Sequence, residues 1–428
     1  MNICDPFAGT DADWTLKSIP PALEGVGLED FAGKKVGLFD DALFYPAAIL
    51  RESVLRTNSA WMRNFIARTG VRIAPHGKTT MTPDLFRLQM ADGAWAITAA
   101  TAAHVRAYRR FGVDRIFMAN QLVGDSAIDW LLAELDGDPN FDFYSLADSV
   151  EVVSKLQERA ARAGLDRPLQ LLVEVGAMGG RTGVRNIEQG VKVAEAIAAA
   201  SHLSLVGVEC FEGIFQGRPD GTALVESLLE EVIDLARTCD VAGLFDGRII
   251  LTAGGSSYFD RAARMLAQGQ WTTEPEIVIR SGCYLTHDSD FYQRMFDELA
   301  RREPELAAVG GGLRPALQVW AHVQSHPEPG RIICGLGRRD IGNDLAPPKP
   351  IAWARKGDAA PRPMPPGHAV TALNDQHAYV DVPADTPLRV GDLVGFGMSH
   401  PCTTFDKWRA LLLVDDAWKV TGLARTYF

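Results

Sequence analysis

From about Val71 to Arg280, short apolar runs alternate with longer stretches in which apolar positions recur every three or four residues. The runs are Val71 to Pro75, Ala94 to Thr98, Arg115 to Ala119, Phe141 to Leu146, Leu169 to Val175, Leu203 to Cys210, Arg248 to Thr252 and Glu276 to Arg280. They are apolar at successive positions, so both faces of each strand are covered, as in a parallel sheet flanked by helices. About eight such βα units predict an α/β fold closed into a TIM-like (β/α)8 barrel. An open doubly wound sheet is the alternative, but the G-x-G-x-x-G turn of a dinucleotide-binding half is absent after the first strand.

Outside this region the rhythm differs. Residues up to about Lys35 mix Pro, Gly and Asp with short apolar pieces and predict an irregular arm with one short helix. Gly37 to Leu43 predicts a strand, and Ala47 to Thr69 a helix with Leu50, Val54, Trp61, Phe65 and Ile66 along one face. Past about Leu306, polar and apolar residues alternate in Leu317 to Gln324, Arg331 to Gly335, Tyr379 to Val382, Leu393 to Met398 and Leu411 to Val414, which predicts a second, β-rich domain. The proline-dense run Leu345 to Pro366 reads as an extended loop or insertion. The expected division is an arm over 1–35 packing with the β-domain, a barrel over 36–305 and a β-rich domain over 306–428.

A chain of 428 residues has room for two such domains. Its net charge of −11, with the acidic residues dispersed, argues against a nucleic-acid or anionic-membrane surface. The six cysteines, Cys4, Cys210, Cys239, Cys283, Cys334 and Cys402, form no dense framework, as reduced thiols of a cytoplasmic protein would not. The start MNICDPFAGTDADW has neither the basic residues nor the apolar core of a signal peptide, and no apolar run reaches the roughly 20 residues of a membrane span. A soluble protein acting on a small molecule is expected.

Four stretches carry candidate chemistry. In Arg72 to Thr80, RIAPHGKTT, a strand stops at Pro75, turns at Gly77 and places Lys78 at its carboxyl end. Barrels gather ligands there, and a lysine held there suits Schiff-base chemistry or proton abstraction. In Arg248 to Phe259, RIILTAGGSSYF, a strand runs into Gly254, Gly255 and Ser256 ahead of a helix; such amides and hydroxyls suit a phosphate, although Gly-Gly also marks ordinary βα turns. Leu172 to Arg185 ends a strand with Glu174 and sets Arg181 in a glycine-rich loop. In His400-Pro401-Cys402, residues i and i+2 of an extended chain share a side, Pro401 favours that form over a helix, and imidazole with thiolate selects Zn²⁺ or a similar divalent ion. With no second pair of comparable spacing, positions stay open for water or substrate, as a catalytic ion requires. His377, in Asn374 to Tyr379, is a further proton donor or acceptor, and His76, His104 and Gln121 fall at or just after strand ends.

The combination of PHGKT, a Gly-Gly-Ser turn and a late His-x-Cys resembles the pyridoxal-phosphate enzymes of the alanine racemase-like barrel class, in particular the D-serine dehydratase and D-threonine aldolase group. The resemblance runs from about Gly37 to the C-terminus. It implies that Lys78 carries pyridoxal 5'-phosphate, that Arg181 approaches the ring oxygen, and that Gly254, Gly255 and Ser256, with Gly282, Cys283 and Tyr284, hold the phosphate. Where the family tends toward R-P-G-x-Y this chain has Arg280-Ser281-Gly282-Cys283-Tyr284, without the proline. His400 and Cys402 would hold the ion. The aldolases tend to carry aspartate where Cys402 stands, so the resemblance implies dehydration of a D-serine-like D-3-hydroxy amino acid to a 2-oxo acid and ammonia ahead of retro-aldol cleavage to glycine and an aldehyde. A non-catalytic cofactor carrier ranks lower, since such relatives resemble the barrel alone, and a racemase needs no ion at a substrate hydroxyl. The group also implies a homodimer.

Overall fold

The computed structural model describes residues 11–28, 30–308 and 311–428. The first ten residues of the expected arm, with Cys4, lie outside the described residues. The chain forms two compact units, one made of the chain up to Arg63, Thr79–Leu88 and Cys283–Phe428, the other of Asn64–Lys78 and Gln89–Gly282. These bounds differ from the expected division at 36 and 306: residues 36–63 and the chain from Cys283 onward go with the β-rich unit.

With β1 (Ala47–Arg51) assigned to that unit, the eight predicted strands of the other become β2 (Arg72–Ile73), β3 (Ile97–Ala99), β4 (Arg115–Gln121), β5 (Asp142–Ala147), β6 (Leu169–Val175), β7 (Leu203–Cys210), β8 (Ile250–Ala253) and β9 (Glu276–Ile279). All pair in parallel, β3 to β9 in chain order and β2 beside β9. The circle closes between β2 and β3 through a parallel bridge of His76 with Thr98, with Trp95 N donating to Ile73 O at 2.7 Å and Thr98 N to Pro75 O at 2.9 Å. Large and small side chains from successive strands fill the interior: Trp95, Phe117, Tyr144, Leu172, Ile250 and Val278 among them. Side-chain caps start the covering helices, Thr101 before Ala102–Arg110, Ser149 before Val150–Ala163 and Asn186 before Ile187–Ala198.

The β-rich unit adds β10 (Leu317–Glu328), β11 (Arg331–Cys334), β12 (Lys349–Ala354), β13 (Arg362–Pro363), β14 (Ala369–Leu373), β15 (Ala378–Asp381), β16 (Leu393–Gly397), β17 (Ala410–Val414) and β18 (Val420–Arg425). Its main path runs β13-β12-β16-β10-β1-β17-β18. Three expectations are corrected. Ala47–Arg51 is a strand between β10 and β17, with the helix starting only at Glu52; a short run buried on both faces has no periodicity to separate strand from helix. Gly37 to Leu43 is a turn region, its Leu38, Phe39 and Leu43 buried for side-chain packing. The proline-rich run contains β12 and β13; Pro363 is tolerated because β13 is an edge strand, and Pro350 because the ladder shifts register between it and Ala352. The described part of the arm joins this unit's core, with Leu16, Ile19, Leu23 and Phe31 clustered with Ile49, Trp320 and Leu412. No helix among the described residues is long and apolar enough to cross a membrane.

Candidate active site

The carboxyl ends of the barrel strands collect the predicted residues of that unit. Lys78 lies in a single 3-10 turn, Gly77–Thr79, beyond β2, and its side chain is exposed. His76 is half-buried, and its Nδ1 is a buried atom without a hydrogen-bond partner. Burial, then the charges of Lys78, Arg280 and Arg181, hold this imidazole well below its ordinary range, so it is neutral. Arg181 lies over the Phe211 ring, 4.0 Å from its centroid. Glu174, buried at the end of β6, accepts from Gln121 Nε2 at 2.5 Å and Thr182 Oγ1 at 2.8 Å.

Beneath these loops sits a buried ionic layer that sequence reasoning missed. Arg280, at the end of β9, pairs with Glu209 of β7 at 2.5 Å and donates to Thr252 Oγ1 at 2.6 Å and Cys210 O at 3.1 Å. Burial pushes Glu209 up to about 7, with Arg280 pulling the other way. Arg280 Nε has no hydrogen-bond partner.

The Gly-Gly turn is an anion cradle, and a side chain of this protein fills it. Gly254 N and Gly255 N donate to the two carboxylate oxygens of buried Glu212, at 3.0 and 2.7 Å. Burial raises the Glu212 carboxyl, and the amides act against that. Both glycines are required by close approach: a Cβ on Gly254 would lie 2.6 Å from Arg280 Nη2, and one on Gly255 would collide with Glu212. Ser281, where the family tends to proline, donates its hydroxyl to Gly255 O at 2.8 Å and ties the two strand-end loops together. Ser256 is half-buried in the same turn, and Gly282 ends this unit.

In the β-rich unit, His400 Nδ1 is 2.5 Å from Asp344 Oδ2, and Thr403 Oγ1 donates to Asp344 Oδ1 at 2.7 Å. This leaves the opposite ring nitrogen, Nε2, for a ligand. Cys402 Sγ lies 3.8 Å from Cys283 Sγ and 3.5 Å from Oγ1 of Thr79, the residue after Lys78 in the chain. The hydrogen bond from Cys283, then His400, holds Cys402 well below the ordinary thiol range against the effect of burial. Cys283 is pushed up by its bond to Cys402 and by burial, so it is the thiol of the pair. Burial works to lower His400, but Cys402 and Asp344 outweigh it and lift it to about 9. One expectation is corrected: Pro401 has φ −59° and ψ −41° and leads into the helical turn Cys402–Phe405, since proline's fixed φ and missing N–H suit a helix start.

His377 is exposed at the β14–β15 turn and lines a groove of about 360 Å³ with Tyr45, His322, Gln324 and Gln376. Tyr284, next to Cys283, is buried in the β-rich unit.

The residues fit both implied groups. Tandem amides already holding a carboxylate, and the orphaned buried atoms of His76 and Arg280, suit a polar, phosphorylated ligand beside Lys78. An imidazole backed by a carboxylate next to a thiolate is a donor set for a borderline-soft divalent ion. Among the described residues no three His, Cys, Asp or Glu side chains are yet gathered about one point. Asp344, Glu209 and Glu212 escaped sequence reasoning, and Cys283 was expected at the phosphate rather than beside Cys402; the buried-acid positions beside strand ends, Glu209 and Glu212, are the local signal that was there to read.

A family model described as "Putative serine dehydratase domain" matches residues 316–414. The chain is similar to the 3-hydroxy-D-aspartate aldolase of Paracoccus denitrificans (strain Pd 1222), 24% identical over 438 residues and spanning 100% of both chains. Its fold matches the crystal structure of D-threonine aldolase from Filomicrobium marinum with a TM-score of 0.74, at 21% identity over 92% of this chain and 97% of that one. It also matches the D-threo-3-hydroxyaspartate dehydratase from Delftia sp. HT23 with a TM-score of 0.70, at 18% identity over 90% and 97%. Residues 316–414 thus match a serine dehydratase domain model, and the fold as a whole is alanine racemase-like.

Proposed function

We propose that this protein is a lyase dependent on pyridoxal phosphate and a divalent ion, removing water from a D-serine-like D-3-hydroxy amino acid to give a 2-oxo acid and ammonia. The observation that supports it most is His400 with its ring held by Asp344 and Cys402 two residues on, within the span matched by the dehydratase family model. When bound, the cofactor supplies an electron sink at Cα and zinc, or another divalent ion, a Lewis acid for the β-hydroxyl.

The chain's residues divide the rest of the work. Lys78 Nζ holds the cofactor and takes the Cα proton. Arg181 steadies the ring oxygen, and the loops at Gly254, Gly255, Ser256 and at Gly282, Cys283 and Tyr284 hold the phosphate. Glu212 has to release the Gly254 and Gly255 amides before a phosphate takes them. His400 Nε2 and Cys402 Sγ hold the ion, Asp344 fixes the imidazole, and His377 exchanges a proton with the substrate. The proposal includes a cytoplasmic homodimer.

The names of the relatives favour a second reading, retro-aldol cleavage, since two of them are aldolases. A cofactor carrier without turnover is not favoured by a chain that continues past the barrel into a unit bearing His400 and Cys402. Feeding D-threonine and D-serine to the purified protein, with and without a chelator, separates the three. Metal-dependent 2-oxobutyrate, pyruvate and ammonia support dehydration; acetaldehyde and glycine mean aldolase; no consumption of either means a carrier.

A further inference from the structure

The geometry points to Cys283 as a second sulfur ligand of the ion that His400 and Cys402 are proposed to hold. The inference rests on the metal reading above and extends it to a residue assigned there to the cofactor phosphate. Two sulfurs bound at about 2.3 Å to one tetrahedral ion stand about 3.8 Å apart. Cys283 Sγ and Cys402 Sγ are 3.8 Å apart, whereas a disulfide would bring them to about 2.0 Å. Cys283 is buried at 4% exposure on the segment after β9, and Cys402 opens the turn Cys402–Phe405. They are separated by 119 residues, so only the fold of this unit brings the two sulfurs together.

Asp344 already takes the Nδ1 side of His400. The set becomes one imidazole and two thiolates, which is a catalytic zinc set with a fourth position open. Because the three donors are not gathered about one point as they stand, the ion has to draw His400 Nε2 toward the sulfur pair. A bare S–H···S hydrogen bond has a similar length, so the decision lies with a count of metal-bound thiolates.

Cobalt(II) provides that count, because thiolate-to-cobalt charge transfer in the near ultraviolet grows with each bound sulfur. The full chain is stripped with a chelator and titrated with cobalt(II), as wild type, C283S, C283A and C402S, with far-ultraviolet circular dichroism confirming that each variant is folded. One ion per chain with a two-thiolate band in wild type, about halved in both Cys283 variants and in C402S, is expected. An undiminished band in C283S and C283A overturns the inference while leaving His400 and Cys402 as ligands. A wild type that binds no cobalt overturns the metal reading itself, and the inference with it.

Discussion

Arg280 and Glu209 meet at 2.5 Å with each side chain only 1% exposed, the deepest ion pair among the described residues. Their attraction has to offset the removal of two charges from water, so the pair contributes little net stability while neither partner tolerates loss of the other. At pH 8, where Glu209 is ionised, Arg280→Leu is expected to destabilise the protein by roughly 3–5 kcal/mol, and the double change with Glu209→Leu to recover much of that loss. Urea unfolding of the single and double variants checks it; additive losses would remove the case for coupling.

Glu212 satisfies two buried amides at once. Glu212→Ala leaves both without an acceptor, at a cost of about 1–3 kcal/mol for each group left unmet. Inorganic phosphate in the millimolar range should raise the melting temperature of the variant and leave wild type unmoved, because only the variant has a vacant cradle. Equal behaviour of the two proteins would show that these amides do not accept a free anion.

His287 gives a pH dependence with a definite sign. Its ring is buried, 6.0 Å from Phe296, and burial lowers its pKa to about 4 from an ordinary 6.5. Between those values the unfolded chain binds a proton that the folded chain refuses, so stability falls as pH drops from 6.5 toward 4 and is fully retained above 6.5. The depressed pKa corresponds to about 3 kcal/mol across that window. In His287→Gln the loss should flatten; denaturant midpoints at several pH values between 4 and 7 test this, and an unchanged slope would refute it.

Asp344 should matter for the ion without being indispensable. Asp344→Ala frees the imidazole of His400 to rotate, and loss of such an outer partner typically weakens metal affinity about 10–100-fold. Competition with a zinc-binding dye reads this directly. Affinity unchanged in the variant would mean that His400 is not oriented through Nδ1.

The sequence by itself determined the barrel and its strand ends. Eight apolar runs mark eight strands because a strand covered on both faces must be apolar at successive positions, and a proline and a glycine after the first run place Lys78 at a strand end whatever the rest of the chain does. The His-x-Cys pair, being local in sequence, could be named from it as a candidate donor pair. Where burial was not periodic, as at Ala47–Arg51, or where proline lay on a sheet edge, as at Pro363, local pattern misled. Only the tertiary structure decided the partners: Asp344 for His400 across 56 residues, Glu212 for Gly254 across 42, Cys283 for Cys402 across 119. Hydrophobic periodicity records which residues are buried, and nothing in it records which buried or half-buried polar group will meet which. That pairing is set by the tertiary fold, which brings together residues far apart in the chain.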